Sequence, residues 1–282
     1  MSRPLRIAMV AHTLNHNNIG RVYPFLQAFA GSALVEPTLI GWDETGELFP
    51  LLRDAPCPVV RLSGPATGPA AVRQLQAAFS GADVVHCFKN RSHFRSALAA
   101  AAPRRLPLVL DLDDWELGLY LEGASRWPRW RQWLWGGPMA RRIGEALELE
   151  RLARTAPAAL LVNSGALKAH FGGEIVYTSA DAAQFDPALS EGAGFRAAHG
   201  LPAAAPVIGF LGTPHPHKGI DELLAAFAAV RAATPATRLL FVGVPAHNPY
   251  RARLLAAEGV SVVDYIAAGD YPAAYAACDV LA

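Results

Sequence analysis

The chain has 282 residues, is 52% hydrophobic and 17% charged, and carries a formal net charge of +1. This composition predicts a globular protein of roughly two domains, excludes a disordered chain and argues against nucleic acid as a partner. Its three cysteines are far apart and form no CxxC pair, which argues against disulfides, a redox motif or a cysteine metal site. No signal peptide or membrane span is predicted, so we expect a cytoplasmic protein.

Short apolar runs alternate with segments of helical periodicity over the first 177 residues. Most of these runs are continuous, which is typical of parallel strands covered on both faces, and the alternation predicts a doubly wound α/β sheet. The predicted strands are 5–11, 35–41, 58–62, 82–87, 106–112, 158–163 and 174–177. The predicted helices are 19–30, 70–79, 92–101, 138–156 and 166–171.

Residues 186–205 are rich in glycine, proline and alanine and contain one short helical piece, at 195–199. We therefore predict a first domain over 1–187, a linker over 188–205 and a second domain over 206–282. In the second domain the predicted strands are 206–211, 238–242, 260–264 and a strand from 279, and the predicted helices are 219–233, 251–258 and 271–277. Because the sequence ends inside a strand, we expect this domain to be truncated and the chain alone to be poorly active.

A strand, a glycine-bearing turn and a helix follow one another at 207–233. The helix presents one apolar face, formed by Ile220, Leu223, Leu224, Phe227 and Val230. Its N-terminus offers unpaired N–H groups and a partial positive charge. Lys218 adds a cation there, and glycines at 212 and 219 allow the backbone to approach a ligand closely. The segment predicts an anion site, and an ordinary strand–helix connection is the alternative.

The turn reads Gly212-Thr213, four residues, then Lys218-Gly219. It resembles the second-domain opening of the retaining glycosyltransferases of family 4, also called glycosyl transferases group 1, where arginine is usual in place of Thr213. Further segments resemble that family in the same order, at 83–86, 162–164, 179–187, 239–243 and 275–280.

The resemblance implies a GT-B fold of two Rossmann-like domains, the second incomplete. It implies transfer of a sugar from a nucleotide-diphosphate donor, with retention and with neither a metal nor another cofactor. Lys218 would bind the diphosphate and stabilise the leaving group, and protonated His215 or His217 would replace the missing arginine. The implied donor-binding residues are Gly20, Gly212, Thr213, His215, Lys218, Gly219 and Gly243.

Three carboxylates end the predicted strand at 106–112 and its continuation, at Asp111, Asp113 and Asp114. In the resembled family a histidine near the donor sugar often stands where Asp113 stands. The resemblance therefore implies a catalytic role for Asp113, on a sugar hydroxyl or on an oxocarbenium-like centre. A divalent-cation site and a cap of the next helix are the alternatives.

Five of the six tryptophans lie between residues 115 and 135, mixed with arginines. Such a mixture suits a membrane interface or a carbohydrate platform, and a cover over the core of the first domain is the alternative. We predict that 115–142 forms the acceptor side and binds a sugar, a lipid-linked or a small-molecule acceptor, with contact to the inner face of a membrane as one reading. The candidate residues are Trp115, Trp127, Trp130 and Arg131.

Two further functions are compatible with the sequence. The missing arginine is compatible with a module that binds nucleotide or sugar without turnover, and a sugar-nucleotide epimerase would share the GT-B fold. His86 and His93 are expected to be structural, because no HxxxH or HExxH pair indicates zinc.

Overall fold

The computed structural model describes residues 3–16, 19–125, 129–180, 182–186 and 191–282, without the side chains of 123–136 and 138. The chain divides into two compact units, Met1–Ser179 and Ala180–Ala282. Each unit contains one sheet, and every strand pair in both sheets is parallel. The predicted doubly wound α/β architecture is confirmed.

The first unit is built on a seven-stranded sheet in the order β3-β2-β1-β4-β5-β6-β7. Its strands are β1 (Leu5–Ala11), β2 (Val35–Trp42), β3 (Val59–Leu62), β4 (Val84–Phe88), β5 (Leu108–Leu112), β6 (Ala159–Val162) and β7 (Glu174–Ile175). Its helices are α1 (Val22–Ala30), α2 (Pro69–Ala78), α3 (Ser92–Ala101), α4 (Glu116–Ser125), α5 (Arg129–Thr155) and α6 (Gly165–Phe171).

The main core of this unit lies on one face of the sheet, where strand residues such as Val10 and Leu110 join side chains from α2, α3, α5 and α6. Side chains alternate between faces along a strand, so the fully buried Met9 and Leu39 point to the opposite face. Helix α1 contacts β2. Cover on both faces explains why these strands are continuous apolar runs.

The second unit has a four-stranded sheet in the order β10-β9-β8-β11. Its strands are β8 (Val207–Leu211), β9 (Arg238–Val242), β10 (Val260–Val263) and β11 (Val280–Leu281), and its helices are α7 (Gly192–Ala198), α8 (Ile220–Ala233), α9 (Arg251–Ala256) and α10 (Tyr271–Ala276). Leu239 and Phe241 belong to one core, whereas Leu240 and Val242 belong to another. Strand β9 therefore packs on both of its faces.

Helix α7 lies within the stretch predicted as a linker and is fixed to the second unit by Arg196. The guanidinium of Arg196 donates to the carbonyl oxygens of Ala277 (2.9 Å), Ala203 (2.9 Å) and Ala205 (3.1 Å) and to the carboxylate of Asp279 (2.9 Å). The same carboxylate accepts from the backbone N–H of Val207, the first residue of β8, at 2.7 Å. One side chain thus joins the approach to β8 with the approach to β11.

The sheet orders place a topological switch point in each unit, where successive connections leave in opposite directions. In the first unit it lies between β1 and β4, and in the second between β8 and β11. Open α/β sheets bind ligands at such points, beyond the carboxyl ends of the strands.

Two local expectations are wrong. Helix α4 was not predicted, and α5 begins at Arg129 instead of 138. The start of α5 was misplaced because a proline is expected in the first turn of a helix, whereas Pro138 lies well inside α5. Val230 is 42% exposed and therefore does not complete the apolar face of α8.

Candidate functional site

The turn after β8 brings a cation over the end of its own strand. A Cβ built on Gly212 would lie 3.5 Å from Nζ of Lys218, so the ammonium group folds back over the carboxyl end of β8. A 3₁₀ turn, Pro216–Lys218, positions the lysine, and Gly219 adopts φ 67° before α8 begins at Ile220. This left-handed conformation favours glycine. The predicted glycines and lysine are thus brought together at the second switch point.

Gly243, at the end of β9, forms the neighbouring wall of this turn. Its φ is 97°, and a Cβ there would lie 3.2 Å from the carbonyl carbon of Gly212. The backbone N–H of Gly212 also donates to the carbonyl of Val242 at 2.8 Å. A side chain at Gly243 would therefore press on the turn, and its absence leaves the strand ends open to a ligand.

Thr213 and His215 occupy different environments in the turn. Thr213 is buried, and its hydroxyl lies 3.1 Å from the hydroxyl of Tyr265. His215 is exposed and stacks on His217, with ring centroids 5.4 Å apart and planes within 8°. Burial, and then the charges of Lys218 and His217, lower the pKa of His215. The imidazole is therefore mainly neutral near pH 7.

At the carboxyl ends of β4 and β5 in the first unit, the side chain of Lys89 joins two of the predicted carboxylates. Its Nζ donates to Asp113 and to Asp114, each at 2.7 Å. Burial opposes the charged form of Lys89, but the two carboxylates outweigh burial and raise its pKa. Lys89 holds φ 68°, an unusual conformation for a residue with a side chain. The proposed catalytic carboxylate of Asp113 is thus paired with a buried cation.

Asp111, the third predicted carboxylate, lies inside the fold. It is 1% exposed and accepts from Arg21 Nε at 2.7 Å and Nη2 at 3.2 Å. His86 Nε2 lies 3.3 Å from the same carboxylate, and Arg21 Nη1 donates to Thr178 at 3.1 Å. Asp111 is therefore a buried carboxylate whose charge is satisfied by the buried guanidinium of Arg21. Gly20 is exposed and directly precedes Arg21.

Trp115 is held in place at the start of α4. Its Nε1 donates to Glu150 at 3.0 Å, and its ring lies 4.7 Å from that of His170. A Cβ on Gly118 would fall 2.3 Å from the indole ring, so the ring lies directly on that glycine. The side chain is still 41% exposed and offers an aromatic surface. Trp127 lies outside the described residues, and only the helical backbone is described at Trp130 and Arg131.

Sequence reasoning missed the cations at these strand ends. Lys89 follows β4 as directly as Asp113 follows β5, and Arg91 lies two residues further on, so the strand-end rule could have found them. Arg91 Nε donates to Glu116, which is 5% exposed, at 2.8 Å. The expected structural role of His93 agrees with its position, because it is fully buried and Nε2 lies 2.9 Å from the carbonyl of Phe88.

The described residues contain no group of three or more His, Cys, Asp or Glu side chains arranged to hold a metal ion. Nor does any described helix combine the length and apolarity needed to cross a membrane.

Two parallel doubly wound units, one with a glycine–lysine turn at its switch point, define the GT-B fold, and solved structures agree. Anabaena HepE in complex with UDP and glucose superimposes with a TM-score of 0.73 at 18% identity, over 98% of this chain and 73% of that one. A glycosyltransferase from Rickettsia africae gives 0.63 at 13%, over 99% and 73%. The UDP-GlcNAc 2-epimerase from Neisseria meningitidis bound to UDP-GlcNAc gives 0.59 at 10%, over 98% and 76%.

One stretch of the chain matches a known family in sequence. Residues 205–282 match the family model described as glycosyl transferases group 1, which includes the whole turn from Gly212 to Gly219. The resemblance predicted from that turn is confirmed over this stretch. No curated protein matches the chain in sequence. The family match and the fold together support a transferase.

Proposed function

We propose that the protein transfers a sugar from a nucleotide-diphosphate sugar to an acceptor, with retention of configuration. The observation that carries the proposal is the ammonium group of Lys218, which lies over Gly212 at the second switch point, inside the segment that matches group 1 glycosyltransferases. The donor diphosphate would bind there, between the cation and the free N–H groups at the start of α8.

Lys218 would act mainly in the transition state. As the bond from the sugar to the diphosphate breaks, negative charge grows on the departing phosphate oxygen, and a positioned ammonium group stabilises that charge. Thr213 carries no charge, so Lys218 would be the principal cation and His215 would assist when protonated. We propose that this arrangement works without a metal or other cofactor, as the GT-B resemblance implies.

We propose that the first unit binds the acceptor, which would be a sugar, a lipid-linked sugar or a small molecule. Asp113 would contact the reacting sugar while Lys89 balances its charge, and the exposed ring of Trp115 would stack on the acceptor. We also propose a cytoplasmic location, with residues 115–142 in contact with the inner face of a membrane. Co-sedimentation with anionic vesicles, weakened by high salt, tests that contact, and no binding refutes it.

Binding of UDP, titrated by calorimetry into the wild-type protein and two lysine variants, tests the donor site. We expect Lys218→Ala to weaken binding about ten-fold or more, because it removes a charge-assisted contact with phosphate. Lys168→Ala is the matched control, since Lys168 is an exposed lysine of the first unit that pairs with Glu174 at 3.4 Å. Equal affinities for wild type and Lys218→Ala would refute the proposed donor site.

Incubation with a panel of nucleotide sugars separates transfer from the two alternative functions. Release of nucleoside diphosphate together with a glycosylated acceptor supports transfer, and the anomeric coupling in the product tests retention. Tight nucleotide binding without turnover supports a binding module. Conversion of one free nucleotide sugar into its epimer supports an epimerase, whose fold the chain shares.

A further inference from the structure

A groove with a cavity volume of about 140 Å³ lies in the first unit, beyond the carboxyl ends of β1 and β4. His12 follows β1, Asn90 and Arg91 follow β4, and α4 and α5 supply the outer wall. The groove therefore opens at the switch point of the seven-stranded sheet, where doubly wound folds bind ligands.

Two polar atoms at this groove lack partners. Oδ1 of Asn90 and Nδ1 of His12 are buried without a hydrogen bond to any residue that the structure describes. Asn90 is 4% exposed, and a buried polar group left unpaired destabilises the folded protein. A ligand hydroxyl would relieve that destabilisation, because one hydroxyl both donates and accepts.

The charges around the groove balance. Two guanidinium groups, of Arg91 and Arg142, face two carboxylates, of Glu116 and Glu145, and Arg91 is already paired with Glu116 at 2.8 Å. Burial, and then the charge of Arg91, lower the pKa of His12 to about 4, so this histidine is neutral near pH 7. The groove therefore offers no surplus of positive charge for a phosphate or a carboxylate.

We propose that this groove binds an uncharged polyhydroxyl group, a sugar ring or a cyclic polyol. Planar side chains that each donate or accept hydrogen bonds suit vicinal hydroxyls, and the half-buried ring of Tyr120 offers an apolar surface to the C–H face of such a ring. The assignment of the bound group as the acceptor of a sugar transfer rests on the proposed function. The hydroxyl chemistry of the groove does not.

Saturation-transfer NMR on the full chain tests the proposal with five probes: the methyl glycosides of glucose, galactose and mannose, myo-inositol, and glucose 6-phosphate. We expect at least one neutral probe to bind, and the phosphorylated probe to bind no tighter. Asn90→Leu should weaken binding at least about five-fold, since it removes a buried hydrogen-bonding group. Gln27→Leu, which replaces an exposed amide on α1, should leave binding unchanged.

Tyr120→Ala provides a second test if Asn90→Leu fails to fold, and it too should weaken the neutral probe. Tighter binding of glucose 6-phosphate, no binding of any neutral probe, or binding unchanged in both variants would overturn the proposal. UDP affinity is measured on the same samples. In the wild-type protein, failure to bind UDP while a neutral probe still binds would count against the proposed donor site. Failure of every neutral probe to bind while UDP still binds would count against the groove.

Discussion

His93 makes the stability of the first unit depend on pH. The ring is fully buried, its Nε2–H donates to the carbonyl of Phe88 at 2.9 Å, and Nδ1 has no partner among the described residues. Burial, and then the neighbouring ring of His12, lower the pKa of His93 from its ordinary value of 6.5 to about 3. Below pH 6.5, His93 therefore binds a proton in the unfolded chain but stays neutral in the folded chain.

The sign and size of the effect follow from that difference. Stability falls as the pH drops below 6.5 and continues to fall until the folded pKa is reached, at about 1.4 kcal/mol per pH unit for one proton. Between pH 7 and pH 5, His93 alone should remove about 2 kcal/mol from the free energy of unfolding. His93→Gln keeps an N–H donor for Phe88 but cannot titrate.

Urea unfolding followed by circular dichroism at pH 7, 6, 5.5 and 5 measures the effect. The free energy of the wild-type protein should fall more steeply than that of His93→Gln, so that the two curves converge by about 2 kcal/mol at pH 5. Parallel curves would show that the folded protein accommodates a protonated imidazole at this position, and would refute the reasoning.

Three further predictions concern the two strand-end clusters. Gly243→Ala should lower the free energy of unfolding by about 1–3 kcal/mol and weaken UDP binding. Gly269→Ala, whose Cβ would have no atom within 4 Å, should change neither quantity. Urea titration measures the stability of both variants, and calorimetry measures their UDP affinity. UDP affinity should rise as the pH falls from 7.5 to 5.5, because protonation adds a charge to His215, and His215→Asn should flatten the profile; an equal slope in the variant would contradict this. Lys89→Met should cost about 3–5 kcal/mol of stability because Asp113 loses its buried partner, and an unchanged melting curve would contradict that pairing.

The fold was predictable because its strands have a recognisable sequence pattern. A strand covered on both faces is a continuous apolar run such as β1 or β9, and the turn at Gly212–Gly219 combines two glycines with a lysine before a helix. These patterns are formed by residues close together in the chain, so they can be recognised from the sequence alone. Helix α4 and the first part of α5, residues 129–137, carry no such signal. Two glycines interrupt the short helix α4, and tryptophan, arginine and glycine at 129–137 give no apolar stripe.

The polar clusters were predictable only in part. The carboxylates after β5 are visible in the sequence, but their partner Lys89 follows a different strand, and only the sheet order brings the ends of β4 and β5 side by side. The burial of Asp111 was equally hidden from the sequence, because its partner Arg21 is 90 residues distant in the chain. Long-range pairing of this kind depends on topology, which residue patterns do not specify.

The anchoring of α7 by Arg196 bears on how the second unit can be produced in isolation. An expression fragment that starts at the first residue of β8 would discard the guanidinium that bridges Ala277 and Asp279 and leave those acceptors to water. A fragment that starts at Ala180 keeps the bridge. A fragment made for nucleotide titrations should therefore begin before α7, although the glycine- and alanine-rich composition of this helix suggests a linker that could be removed.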